Sequence, residues 1–134
     1  MENKLEYSFD DEPVSKFCYD MDNKKIEVYF TAYYDLREGE NYIELPCVLI
    51  IENWEDSKSR IDGEKKFDSL EKHFGIFSMI LFMEKKGDDL ELYVNTVDNR
   101  YMTLLFMKPQ ISLMSPCPAA HIPPLWVFPS LAVV

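Results

Sequence analysis

The sequence predicts an α+β, β-rich fold: a curved antiparallel sheet, meandering in its second half, with one or two short helices. Three observations carry this reading. Apolar and polar residues alternate with a period of two along several segments. Turn-forming clusters separate those segments at short intervals. One polar stretch alone breaks the pattern with helical spacing. The 47% apolar and 14% aromatic content supplies one packed core and argues against disorder, which is poor in aromatics.

Phe17 to Met21 reads as a short strand, followed by the turn residues Asp22 and Asn23. From Lys25 the chain runs KIEVYFTAYYD. Ile26, Val28, Phe30, Ala32 and Tyr34 share one face, while Glu27, Tyr29, Thr31, Tyr33 and Asp35 share the other. Arg37 to Asn41 supplies the next turn. Tyr42 to Asn53 is again a strand, and its apolar middle from Pro46 to Ile51 predicts burial on both faces. Pro46 marks its start, an edge or a bulge.

Trp54 to Lys72 is polar, with Phe67, Leu70 and Phe74 at roughly helical spacing. It predicts a loop with one short helical turn on either side of Gly63, the second capped by Asp68. Gly75 to Lys85, Leu90 to Thr96 and Arg100 to Met107 then read as three strands. The tight turns at Lys86–Asp89 and Asp98–Asn99 make them sequential antiparallel neighbours. A half-barrel and a two-layer arrangement both satisfy this order.

Charge divides the chain. Its 24 acidic and 14 basic side chains, a net charge of −10, all lie between Glu2 and Lys108. Residues 1–108 therefore form an acidic β-rich domain, and residues 109–134 an uncharged, proline-rich tail. The tail holds Pro109, Pro116, Pro118, Pro123, Pro124 and Pro129, which interrupt any spanning helix or central strand. Its abrupt change of composition marks either sequence not selected with the domain, such as an altered reading frame, or an extended arm. An arm would bury Leu125, Trp126 and Phe128 across the sheet.

The acidic excess has the wrong sign for nucleic acid, whose phosphates select basic surfaces, and for anionic membranes. It favours a basic protein partner, although acidity also serves solubility alone. The N-terminus has neither the basic flank nor the apolar run of a secretory signal. Three cysteines, Cys18, Cys47 and Cys117, give no disulfide framework, so a reducing cytoplasm is the expected compartment.

Catalytic chemistry finds little support. The only histidines are His73 and His121. His73 reads as a surface residue or helix-end cation rather than a base. Cys18, Cys47 and His73 are too scattered for zinc, so no metal is expected. The cysteines read as small buried hydrophobes. Four glycines form no phosphate-cradling loop, so no cofactor is expected. Carboxylate groups such as Asp10-Asp11-Glu12, Glu38 with Glu40, and Asp88-Asp89 with Glu91 fall in or beside turns, where solvation is the rule.

Surfaces that mix acid with aromatic residues carry more. Tyr29, Tyr33 and Asp35 share the outward face of one strand, and Trp54 sits among Glu52, Glu55 and Asp56 where another strand ends. Tyrosine and tryptophan anchor protein interfaces at low entropy cost, and the carboxylates would pair with a partner's Lys or Arg. These seven residues are the candidate partner contacts. Packing of the aromatics under the loop from Trp54 to Lys72 is the competing reading.

The layout VYFTAYYDL (Val28 to Leu36), PCVLIIENWEDSKSR (Pro46 to Arg60) and LELYVNTVDNRYMTLLF (Leu90 to Phe106) resembles the small cytoplasmic immunity proteins of bacterial contact-dependent growth-inhibition and polymorphic-toxin systems. The resemblance covers most of residues 5–107, excludes the tail and transfers no functional residue. It implies a non-enzymatic inhibitor that binds the C-terminal toxin domain of a cognate effector, many of which are basic nucleases. The alternative is a small β-fold hydrolase or ligand-binding protein with carboxylates lining a cavity.

Overall fold

The computed structural model describes residues 5–114. In chain order the elements are β1 (Tyr7–Ser8), β2 (Glu12–Pro13), β3 (Lys16–Asp20), β4 (Lys25–Phe30), β5 (Tyr33–Asp35), β6 (Asn41–Ile43), β7 (Cys47–Glu52), β8 (Asp56–Ile61) and β9 (Asp68–Ser69). There follow α1 (Leu70–His73), β10 (Phe77–Lys86), β11 (Asp89–Thr96), β12 (Tyr101–Met107) and β13 (Gln110–Met114). The β-rich antiparallel character and the single short helix match the sequence reading. No helix among the described residues is long and apolar enough to cross a membrane.

Three sheets share the strands. A six-stranded sheet runs β2-β10-β11-β12-β8-β9, a four-stranded sheet β13-β7-β4-β3, and a three-stranded sheet β1-β5-β6. The two larger sheets contribute to one core, in which Ile26, Val28, Phe30, Leu49 and Ile51 meet Ile80, Leu92, Val94, Leu104 and Phe106. The antiparallel strands are thus divided among three sheets rather than carried by one, and among the described residues they close no barrel.

Alternation predicts this core well where strands are regular. Along β11, Leu90, Leu92, Val94 and Thr96 are buried and the residues between them are not. The meander β10-β11-β12 pairs in the expected order. On β10, register shifts between Phe77 and Met79 and between Ile80 and Phe82 break the period. Phe77 and Ile80, three positions apart, therefore both reach the core. β7 lies between β4 and β13, which accounts for its apolar run.

Three expectations are corrected. Trp54 to Lys72 is not a loop with two helical turns: β8 pairs along β12 from Asp56 to Ile61. Its sequence, DSKSRI, hides the strand because Ser57 and Ser59 take two of the three inward positions, leaving only Ile61 apolar on that face. Ser59 is fully buried, and its hydroxyl donates to the Ser69 carbonyl at 2.9 Å. Asp68 lies in β9 rather than capping α1, whose N-cap position is Ser69.

The strand expected from Lys25 to Asp35 is divided. β4 ends at Phe30, the chain bends at Thr31, and β5 joins the three-stranded sheet. Finally, the ordered domain crosses the charge break. β13 pairs with β7 from Gln110–Glu52 to Met114–Val48. Pro109 precedes this strand, and an edge position tolerates it. Leu125, Trp126 and Phe128 lie outside the described residues.

Candidate partner-binding surface

Two segments, Leu5–Pro13 and Tyr33–Pro46, hold Glu6, Asp10, Asp11, Glu12, Asp35, Glu38, Glu40 and Glu44 against one cation, Arg37. Eight acids minus one base give −7 of the chain's net −10. The fold brings these segments together, because β1 pairs with β5 and β5 with β6. Concentration of charge is thus a product of the three-stranded sheet.

Inward aromatics fix the outward acids. Phe9, 1% exposed, stacks on Phe30 with ring centroids 4.6 Å apart. Immediately after it the chain turns: Glu12 N donates to the Phe9 carbonyl at 3.0 Å and Asp11 adopts φ 65°. Aspartate tolerates this left-handed conformation better than most side chains. The β5–β6 hairpin is closed through the expected Arg37–Asn41 turn, with Gly39 at φ +92°. Leu36 N donates to the Glu6 carbonyl at 2.8 Å, tying the hairpin to the N-terminal segment.

The single cation is used internally. Arg37 Nη2 and Nε donate to the two oxygens of Asp35 at 2.8 and 3.1 Å, and its guanidinium lies over the Tyr7 ring. These bonds hold the Asp35 carboxyl down at about 2. Asp10 moves the opposite way. Burial raises its pKa most; the Ser8 hydroxyl opposes this, while the charges of Asp11 and Glu40 add to it. Carboxylates crowded without cations respond in this direction.

Two tyrosines sit among these acids. Tyr34 and Tyr42 are cross-strand partners with ring centroids 5.0 Å apart. Tyr42 is 48% exposed, and nearby Leu45 is 59% exposed. Desolvation first, then the charge of Glu12, raises the Tyr42 hydroxyl pKa. Burial, with a smaller push from Glu12, raises the Cys47 thiol to about 12, which makes it an inert packing group. The surface therefore offers carboxylates around exposed aromatic and aliphatic side chains. Chemically, that suits pairing with Lys and Arg side chains.

The seven candidate residues separate across the molecule. Tyr33 and Asp35 lie at this surface; Tyr33 is half-buried with its ring edge-on to Tyr7, and Asp35 is bound to Arg37. Tyr29 is on β4, in the four-stranded sheet, donating to Glu27 at 3.0 Å with Lys16 over its ring. Glu52 ends β7, about 17 Å along the strand from Cys47 at 3.3 Å per residue. Glu55 and Asp56 follow beyond it, both exposed.

Trp54 is corrected outright as a contact. It is 3% exposed and packs on Phe106 at 4.9 Å, so it is a core residue and the competing packing reading holds for it. Sequence reasoning missed Asp10, Asp11, Glu12, Tyr42 and Glu44 as one group. The uneven distribution of cations along the first 46 residues was the available signal.

A cavity of about 460 Å³ is lined by Glu6, Tyr7, Phe9, Leu49, Met83 and Lys85, among others. It presents one carboxylate beside one ammonium rather than facing carboxylates. No protein-family model, curated protein or solved structure matches the chain.

Proposed function

We propose that this chain is a stoichiometric inhibitor of a basic protein, acting as an immunity protein against the C-terminal toxin domain of a cognate effector. The observation that supports this reading is the gathering of −7 net charges and the exposed Tyr42 and Leu45 on the three-stranded sheet and its flanking segments. A nuclease cleft that binds phosphates presents Lys and Arg in an array, and a carboxylate array can occupy it in place of substrate. Apolar and aromatic side chains among the acids supply desolvated anchor points, which charge alone lacks.

The test is direct. The chain is mixed with the toxin domain encoded beside it, and both binding and loss of toxic activity are measured against salt. The expected result is a 1:1 complex, full neutralisation and an association rate that falls as salt rises. Absence of both binding and neutralisation defeats the proposal.

A further inference from the structure

Glu64, Asp68 and His73 come from three adjoining pieces of chain that the fold fixes separately. Glu64 N donates to the Ile61 carbonyl at 3.0 Å, closing the turn after β8. Asp68 pairs with Ser59 across β8 and β9. His73 ends α1, and its carbonyl accepts a hydrogen bond from Arg100 Nη1 at 3.0 Å. Their side chains converge, with one donor atom from each lying within 4.8 Å of the other two.

The imidazole is the informative member. The His73 side chain is only 10% exposed, yet its Nε2 makes no hydrogen bond among the described residues. It lies 3.3 Å from Glu64 Oε1 and 3.8 Å from Asp68 Oδ2, without hydrogen-bond alignment to either. Buried polar atoms are almost always satisfied, so this one marks a missing partner. In tetrahedral zinc coordination with bonds near 2.05 Å, ligand atoms sit about 3.4 Å apart, and the two observed separations bracket that value.

We propose that Glu64, Asp68 and His73 form a binding site for a divalent transition metal, with Zn²⁺ the best fit. One imidazole nitrogen with two carboxylate oxygens suits Zn²⁺ and its neighbours, whereas Ca²⁺ and Mg²⁺ prefer oxygen alone. The carboxylate side chains are 45% and 43% exposed, so the fourth position opens to water. Lys72 Nζ, 3.4 Å from Asp68 Oδ2, is the cation the metal displaces, and its 59% exposed side chain is free to swing away. Binding would fasten the turn after β8 and α1 to the six-stranded sheet. The site shares no residue with the acidic surface and does not depend on its function.

The test uses the full chain, stripped with chelator and titrated with Zn²⁺ by calorimetry and with Co²⁺ by absorption. Expected are one site, a rise in melting temperature with Zn²⁺, and Co²⁺ d–d bands without thiolate charge-transfer absorption. His73→Gln should abolish binding, and Glu64→Gln and Asp68→Asn should each weaken it at least tenfold. Lys72→Ala should leave it intact or tighten it. If the wild type binds no Zn²⁺, the triad is a packing cluster without a ligand and the proposal is overturned. It is equally overturned by a thiolate band or by unchanged affinity in both Glu64→Gln and Asp68→Asn. Those two carboxylates are half-exposed, so their substitution tests the site even where His73→Gln fails to fold.

Discussion

The two ends of β7 are both acidic in sequence, but the fold treats them differently. At the Glu52 end, cations arrive from β4 and from the turns beside β4 and β12. Lys25 is the cross-strand partner of Glu52, Lys24 Nζ donates to the Trp54 carbonyl at 3.3 Å, and Lys108 lies 3.9 Å from Glu55. At the Cys47 end, the charges of Glu12 and Glu44 act on Tyr42 and that of Glu40 on Asp10, and Arg37 is already bound to Asp35. Local density of carboxylates therefore does not identify an interface. What distinguishes the second end is an acidic surplus within its own segments, eight carboxylates against Arg37 alone, and that surplus is gathered by strand pairing.

The strongest way to separate the two ends is through Trp54. Trp54→Ala leaves a cavity against Phe106 and should cost about 3–5 kcal/mol in denaturant unfolding. Protein that remains folded should still bind its basic partner with unchanged affinity. A stability change below about 1 kcal/mol would return Trp54 to the surface as a contact.

Next in size is the effect of ending the chain after Lys108. This removes β13, strips the half-buried Ile111 and Leu113 from the core and unpairs one edge of β7. A loss of about 2 kcal/mol is expected from that burial, read as a lower denaturation midpoint. An unchanged midpoint would show that the domain stops at the charge break after all.

Charge reversal compares the ends on binding rather than stability. Glu40→Lys with Glu44→Lys should slow association with the basic toxin domain about tenfold at low salt, with the difference shrinking as salt rises. Glu55→Lys with Asp56→Lys should change it by less than about twofold, because cations already screen that end. Stopped-flow mixing reads both. Equal slowing by the two pairs would mean that net charge, not the three-stranded sheet, steers the encounter.

How much of this was legible follows from where each signal resides. Burial of Leu90, Leu92 and Val94 is written in alternation, and the meander in its short turns, so both could be read directly. β8 was hidden because Ser59, its most buried residue, fits through a hydrogen bond to the Ser69 carbonyl rather than through apolarity. β13 was hidden because the charge break suggested a boundary that pairing with β7 ignores. Tyr33 and Asp35 lie at the acidic surface because β5 joins the three-stranded sheet, not because alternation exposes them: Tyr33, Tyr34 and Asp35 are all half-buried. Trp54 was misread because acidic neighbours in sequence do not reveal which way a side chain turns. The joining of Asp10, Asp11 and Glu12 with Glu40 and Glu44 depends on contacts between segments about 30 residues apart, which no local pattern encodes.

The smallest expected effect is the one most specific to the acidic surface. Asp10 and Asp35 are shifted in opposite directions, so they contribute to pH dependence with opposite signs. Asp35, held down at about 2, gives stability that is present above the ordinary carboxylate pKa and lost as pH falls through about 2. Asp10, raised by burial and by Asp11 and Glu40, carries a cost at neutral pH that disappears as pH falls through its raised value. Thermal midpoints from neutral to strongly acidic pH should therefore show Asp35→Asn flattening the acid limb and Asp10→Asn removing a gain at milder pH. A cationic partner at this surface lowers the Asp10 pKa on binding, so the complex should release protons at mildly acidic pH. Calorimetry in two buffers of different ionisation enthalpy measures that release. A smaller release in Asp10→Asn would place a partner cation beside Asp10, whereas an unchanged release would assign the protons to other carboxylates.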